Sequence, residues 1–419
     1  MLERKRKLDC ANGREKADLV LKNGNVLNVF TEEVLKADVA ICGDTIVGVG
    51  EYEGKEEIDC TGKYLVPGFI DAHMHIESCM AAPGELAKVL AKAGTTTIIA
   101  DPHEIVNVSG TKGMDYFLKC AAKLLVNVFF MVPSAVPATD VETNGCGEFL
   151  ASDMMKYVDN ARVLGLGETM RFMECCEGEK RMADKLELFA KKHIDGHAPG
   201  IRGKEVQAYR LAGVENDHEC STAEEVLDKL RAGLHIYVRE GSGAKNLETL
   251  IKTMLDAGVC LDRCAFCTDD KHVEEIRKEG HISTCIRKAI ALGVPVAKAY
   301  KMGSYQAAEF YGLKNYGAIG AGYRADIVFL DDLEQVRPLD VMKDGRILTE
   351  EDYAKDYSVP VPDELLHTVH VGEVTKEKIR LSCDGKTDVI QMNPHQIVTT
   401  HLVEEVPTEN GYFKSDGAA

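Results

Sequence analysis

The chain has 419 residues, 45% hydrophobic and 28% charged, enough apolar content for a sizeable core spread over roughly two or three domains. Its 68 acidic and 50 basic residues leave a formal charge of −18. That balance excludes the basic surface a nucleic-acid-binding protein needs and disfavours an anionic membrane surface, so the expected partner is a small molecule.

Met1 to Lys16 is strongly charged and lacks the apolar core of a secretory signal. No run of about 18 apolar residues occurs, so no membrane span is expected. Fourteen cysteines without a signal read as reduced thiols in the cytoplasm. Cys264 and Cys267 form a lone CxxC, which reads as two packed thiols near a strand.

From Ala17 to about Cys60 the pattern is short strands and tight turns. Ala17–Leu21 leads into Asn23-Gly24, a hairpin signal, and Ala37–Ile41 leads through Gly43-Asp44 into Thr45–Val49. From Tyr64 to Leu313 short apolar runs alternate with helical stretches such as Thr222–Leu230 and Asn246–Ala257. The runs are Val66–Ile70, Thr96–Ala100, Asn127–Val132, Val163–Leu166, Lys192–Gly196, Gly213–Asn216, Leu234–Val238 and Cys264–Cys267. Alternating βα units imply a parallel sheet, and eight over about 250 residues match an α/β fold of the (β/α)8 TIM-like barrel type. The β texture returns in Ala325–Leu330, Leu339–Lys343 and Arg346–Leu348. The expected division is 1–63 and 314–350 as two parts of one small, sandwich-like β domain, with 64–313 as the barrel. Residues 351–419 read as a partial C-terminal region or extension.

Active sites of such barrels sit at the C-terminal ends of the strands. Here those ends carry Asp71, His73 and His75, then Asp101, His103 and Glu104, then Glu168, then His197. Asp217, His218 and Glu219 follow the sixth run, Arg239, Glu240 and Ser242 the seventh, Asp269 and Asp270 the eighth. So many ionisable groups around one mouth would repel or stay unsatisfied unless they bind a cation. Imidazole and carboxylate ligands suit Zn, Fe or Mn, and the lack of thiols argues against a structural cysteine-type zinc site. In His73-Met74-His75 residues i and i+2 face one side of a strand, so both imidazoles can reach one ion.

The segment Pro67-Gly68-Phe69-Ile70-Asp71-Ala72-His73-Met74-His75 resembles the opening motif of the amidohydrolase superfamily. Its continuation Ile76-Glu77-Ser78 is similar to the adenine deaminase family. So are Asp101-Pro102-His103-Glu104-Ile105, Gly165-Leu166-Gly167-Glu168-Thr169-Met170, Asp195-Gly196-His197-Ala198-Pro199-Gly200, Asp217-His218-Glu219, Arg239-Glu240-Gly241-Ser242 and Thr268-Asp269-Asp270. The likeness covers roughly residues 17–350, in order, and continues more weakly beyond. It implies two divalent metal ions, manganese or iron, with zinc also compatible. His73 and His75 would bind one, His197 and His218 the other, and Glu168 would bridge them. Asp269 would bind the first ion and touch a bridging hydroxide. The implied reaction is hydrolytic deamination of a purine base, adenine, to hypoxanthine and ammonia. Asp269 and Glu104 are the expected catalytic groups; His103, Asp270, Glu240 and Ser242 are the expected substrate contacts. A homo-oligomer, a dimer, is expected as well.

Family members are usually longer, with a further C-terminal domain holding a histidine-rich motif that is not found here. Cyclic-amide hydrolases are the nearest rival, but they bridge their metals with a carboxylated lysine where this chain has Glu168. A zinc deaminase of the H-x-E…P-C-x-x-C kind is rejected, since His75-Ile76-Glu77 and Cys264 lie far apart and no proline precedes Cys264. The remaining alternatives are deamination of another aminated heterocycle, a modified purine or pterin, and a non-catalytic purine-binding paralogue.

Overall fold

A computed structural model describes residues 2–142 and 144–415. One layer is a mixed sheet drawn from both ends of the chain. Its early strands are β1 (Ala17–Asn28), β2 (Glu33–Cys42), β3 (Thr45–Gly50), β4 (Gly54–Asp59) and β5 (Tyr64–Pro67). The barrel strands are β6 (Phe69–Met74), β7 (Thr95–Ala100), β8 (Asn127–Val132), β9 (Val163–Leu166), β10 (His193–Ile194), β11 (Asn216–Asp217), β12 (His235–Arg239) and β13 (Cys264–Cys267). The late strands β14 (Ile327–Leu330), β15 (Asp340–Lys343) and β16 (Arg346–Ile347) return to the first sheet. Its order is β16-β15-β14-β5-β1-β2-β3, with β4 also paired to β1. Leu21, Val26, Val39, Ile41, Leu65, Ile327 and Phe329 form its core.

The expected hairpin at Asn23-Gly24 is instead a β-bulge inside β1. Leu21 pairs with Val39 and Gly24 with Ala37, so Lys22 and Asn23 together face Asp38. Asp38 holds the bulge: its carboxylate accepts the Asn23 N–H at 2.9 Å and pairs with Lys22 Nζ at 2.6 Å. Asn23 takes φ +60°, which asparagine tolerates better than most residues, and the strand continues without reversing.

The run expected at Val66–Ile70 divides at Gly68. Tyr64–Pro67 pairs with β14 in the mixed sheet, while Phe69–Met74 starts the barrel. Gly68 donates its N–H to Asp326 O at 2.8 Å, and a side chain there would overlap Thr96. Asp71 and His73 therefore lie within β6 rather than beyond it.

Strands β6 to β10 pair in parallel, as do β11 to β13. The two arcs meet where Glu215 N–H reaches Ile194 O at 3.0 Å. The barrel closes between β13 and β6. Asp269 donates to His73 O at 3.0 Å, and His75 donates to Asp269 O at 3.1 Å. Amphipathic helices cover the outside. Pro83–Lys92 buries Leu86, Ala87, Leu90 and Ala91, and Leu247–Asp256 buries Leu247, Leu250, Ile251 and Met254, each a stripe of helical period. Cys264 and Cys267 are buried at the two ends of β13, and the described cysteines are free thiols.

Beyond residue 360 the chain is mostly exposed. The hairpin Lys386–Gln391/Thr400–Glu405 buries neither face, and Ile390 is 73% exposed. Among the described residues no helix is long and apolar enough to cross a membrane.

Candidate metal centre

Five strand ends converge on Glu168, which follows β9 and is almost fully buried. Its two oxygens face different imidazoles. Oε1 lies 3.1 Å from His73 Nε2 and 2.8 Å from His75 Nε2. Oε2 contacts His197 Nδ1 and lies 3.6 Å from His218 Nε2. Asp269 Oδ1 adds a second carboxylate oxygen, 3.1 Å from His73 Nε2 and 3.3 Å from His75 Nε2. The ligand atoms of His73, His75, Glu168 and Asp269 all lie within 4.8 Å of one another, and so do those of Glu168, His197 and His218.

The donor set fits divalent cations. Glu168 Oε1, His197 Nδ1 and both ring nitrogens of His218 are buried without a well-directed hydrogen bond. Such orphaned atoms are costly in a protein interior unless something else satisfies them. The field is strongly cation-attracting. Burial lowers the His73 pKa, but Glu168 and Asp269 more than reverse this and raise it to about 10. His197 rises to about 9 against burial, under Glu219 and Glu168. Burial would raise the Glu168 carboxyl, yet His197, His75 and His73 hold it well below the usual range. A pocket that draws protons this way draws metal ions by the same attraction.

The surroundings orient the ligands. His75 Nδ1 faces Asp101 O at 2.8 Å, which leaves Nε2 free to turn toward Glu168. Asp101 Oδ2 accepts the Glu168 N–H at 2.8 Å, and Ser134, just past β8, donates to Glu168 O. Asp217 accepts N–H groups from Ala198 at 2.9 Å and Glu219 at 2.8 Å, so one side chain steadies the turns that carry His197 and His218. Its counter-charge is Lys229 Nζ at 2.9 Å, and both side chains are inaccessible to solvent. Gly167 has no room to grow, because a Cβ there would overlap the Asp101 carboxylate. Gly167→Ala is expected to weaken metal binding about 10–100-fold by displacing Asp101 from the Glu168 N–H, checked by metal content after dialysis.

Of the residues expected from sequence, His73, His75, Glu168, His197, His218 and Asp269 come together. His103 and Glu104 border them: the His103 ring centroid is 4.4 Å from that of His75, and Glu104 Oε2 is 3.6 Å from His75 Nδ1. Asp270 sits at the rim with its side chain 45% exposed. Glu240 and Ser242 turn elsewhere. Glu240 accepts from Lys288 Nζ at 2.5 Å, and Ser242 Oγ donates to Glu275 at 2.9 Å. Two participants were not anticipated. Glu219 Oε1 lies 3.2 Å from His218 Nε2, and Arg239 spans from Glu219 to Asp269 Oδ2, the latter at 2.5 Å. Both were noted as strand-end residues, but position alone did not reveal that one guanidinium clamps two carboxylates.

A bowl of imidazoles and carboxylates at the C-terminal mouth of a (β/α)8 barrel is the architecture of a metal-dependent hydrolase. Residues 64–348 match the amidohydrolase family, and the chain belongs to that family. Within it the chain is similar to curated adenine deaminases. That of Desulfitobacterium hafniense is 46% identical over 402 residues, covering 96% of this chain and 70% of the relative. That of Clostridium acetobutylicum is 43% identical over 415 residues, covering 98% of this chain and 72% of the relative. Among solved structures, the zinc complex of atrazine chlorohydrolase from Arthrobacter aurescens superposes with a TM-score of 0.58 at 15% identity, covering 80% of this chain and 96% of that one, a likeness of fold.

Proposed function

We propose that the chain hydrolyses adenine to hypoxanthine and ammonia, using two divalent cations, manganese or iron in preference to zinc. The observation that carries this is the division of Glu168: one oxygen serves His73 and His75, the other serves His197 and His218. His73, His75 and Asp269 would hold one ion, His197 and His218 the other, with Glu168 between. Bound divalent cations lower the pKa of water, which provides a nucleophile near neutral pH. The substrate follows from the adenine deaminases that align with nearly the whole chain.

In the reaction an oxygen from water bonds to C6 of the purine, the C6–N bond breaks, and the amine leaves as ammonia. The two oxygens of Asp269 have different surroundings, and the one at the cluster is the proposed carrier of the proton this requires. Oδ2 is held by Arg239 at 2.5 Å, while Oδ1 faces the imidazoles of His73 and His75. Oδ1 can take a proton from the attacking water and return it to the departing nitrogen. His103, beside His75, is the proposed partner of the purine ring. Burial, then His75, lower its pKa, so it stays a neutral imidazole with one donor and one acceptor nitrogen. Burial, then Asp269, raise the Asp270 carboxyl, and from the rim it is a candidate partner for a ring nitrogen. Glu104 completes the mouth.

The test is ammonia release from adenine by protein reconstituted with Fe(II) or Mn(II) under anaerobic conditions. Turnover that disappears on chelation and returns with metal is expected. Two bound ions per chain with no turnover would overturn the choice of adenine and direct the search to other aminated heterocycles.

A further inference from the structure

His73 and Asp269 approach each other across the seam where the barrel closes, and their spacing depends on how firmly that seam is held. Asp71 lies two residues before His73, fully buried. Its carboxylate collects four donors. Oδ1 accepts the N–H of His73 at 3.1 Å and of Thr268 at 3.2 Å. Oδ2 accepts the Thr268 hydroxyl at 2.6 Å and faces His281 Nε2 at 3.1 Å. Asp71 thus ties the backbone of β6 to the residue just before Asp269. His281 stands behind it, wholly inaccessible, at the start of the helix Ile282–Ala291. Its Nε2 also lies 3.1 Å from Thr268 Oγ1, and its Nδ1 lies 2.9 Å from Thr95 Oγ1 on β7. One tautomer satisfies every atom: Nε2–H donates toward Asp71 and Thr268, and Nδ1 accepts from the Thr95 hydroxyl.

We infer that His281 is a positioning residue for the metal centre, anchoring Asp71 and Thr268 across the seam and so setting the spacing of His73 and Asp269. It touches no candidate ligand, yet it joins β6, β7 and the end of β13 through three side chains. Without it, Asp71 loses one of four donors in a dry site, and the Thr268 hydroxyl loses the partner that directs it. The inference rests on the cluster being a metal centre and not on adenine being the substrate.

Mn(II) affinity, read from the free-ion EPR signal during titration, tests it without any substrate. His281→Ala is expected to weaken Mn(II) binding roughly 10–100-fold, the usual effect of losing a partner behind a ligand. His281→Gln, which keeps an amide donor toward Asp71, is expected to recover most of the affinity. Thr95→Val, which removes only the far anchor, should fall between wild type and His281→Ala. If His281→Ala does not fold, the glutamine and Thr95→Val variants decide. Equal Mn(II) affinity in wild type and a folded His281→Ala would overturn the inference and leave the metal centre standing. So would equal losses in the alanine and glutamine variants, which would mark a packing role. A wild type that binds no Mn(II) would overturn the metal centre and the inference together.

Discussion

Glu168→Gln is expected to weaken metal binding more than ~100-fold and to abolish adenine turnover while the barrel stays folded. Losing a group behind a ligand costs ~10–100-fold, and Glu168 is itself the proposed ligand of both ions. Glutamine has nearly the same shape, so the change removes charge and leaves packing intact. The carboxylate also balances the imidazoles of His73, His75 and His197, and an amide offers them an N–H donor in place of one oxygen. Thermal or urea unfolding with and without metal separates the causes. A wild type with ions at one hundred times Kd should gain about 2.7 kcal/mol for each bound ion, and Glu168→Gln should gain far less at the same concentration. Equal metal stabilisation of both proteins would remove Glu168 from the ligand set.

The second large effect is expected at a residue that supplies no candidate ligand atom. Lys229→Met should destabilise the fold by about 3–5 kcal/mol, because it leaves the Asp217 carboxylate buried with no counter-charge. Lys229 Nζ also donates to Ala198 O at 2.7 Å, so the turn after His197 loses a second anchor. Burial pushes the Lys229 pKa down, but Asp217 more than compensates and keeps the amine charged. Adding Asp217→Asn to Lys229→Met should recover part of the loss, since an uncharged pair avoids the stranded ion. Urea midpoints of the single and double variants check this; a double variant less stable than Lys229→Met alone would show that the charge is not the cause.

The barrel was legible in the sequence because most of its strands are short apolar runs and the helices between them carry amphipathic stripes, though the expected Lys192–Gly196 shrinks to His193–Ile194 and Gly213–Asn216 shifts to Asn216–Asp217. The candidate ligands stood out in the sequence because polar residues gather at or just past those runs, as at Glu168 after Val163–Leu166. Side-chain direction was not legible. Glu240 and Ser242 occupy the expected loop but turn to Lys288 and Glu275. Asn23-Gly24 carries the residues of a hairpin turn, yet Asp38, fifteen residues on, claims the Asn23 N–H and converts it to a bulge. Lys229 and His281 were invisible for the same reason. Lys229 sits in the basic last turn of Ala223–Arg231, where a solvated lysine would be ordinary, and only the tertiary structure brings it to Asp217.

The pairing of β14 with β5 has a consequence for the order in which the chain can assemble. Tyr64–Pro67 leaves the ribosome early, but its partner Ile327–Leu330 follows only after the entire barrel. At ~5–20 residues per second, that edge waits on the order of tens of seconds during synthesis. Through that interval Leu65 and Val66, fully buried in the finished protein, lack one of their covering strands. An unpaired apolar edge of this kind invites pairing with other nascent chains. Newly made protein should therefore be most prone to aggregate while the barrel is being translated, and a truncation ending before Ile327 should be less soluble than the full chain.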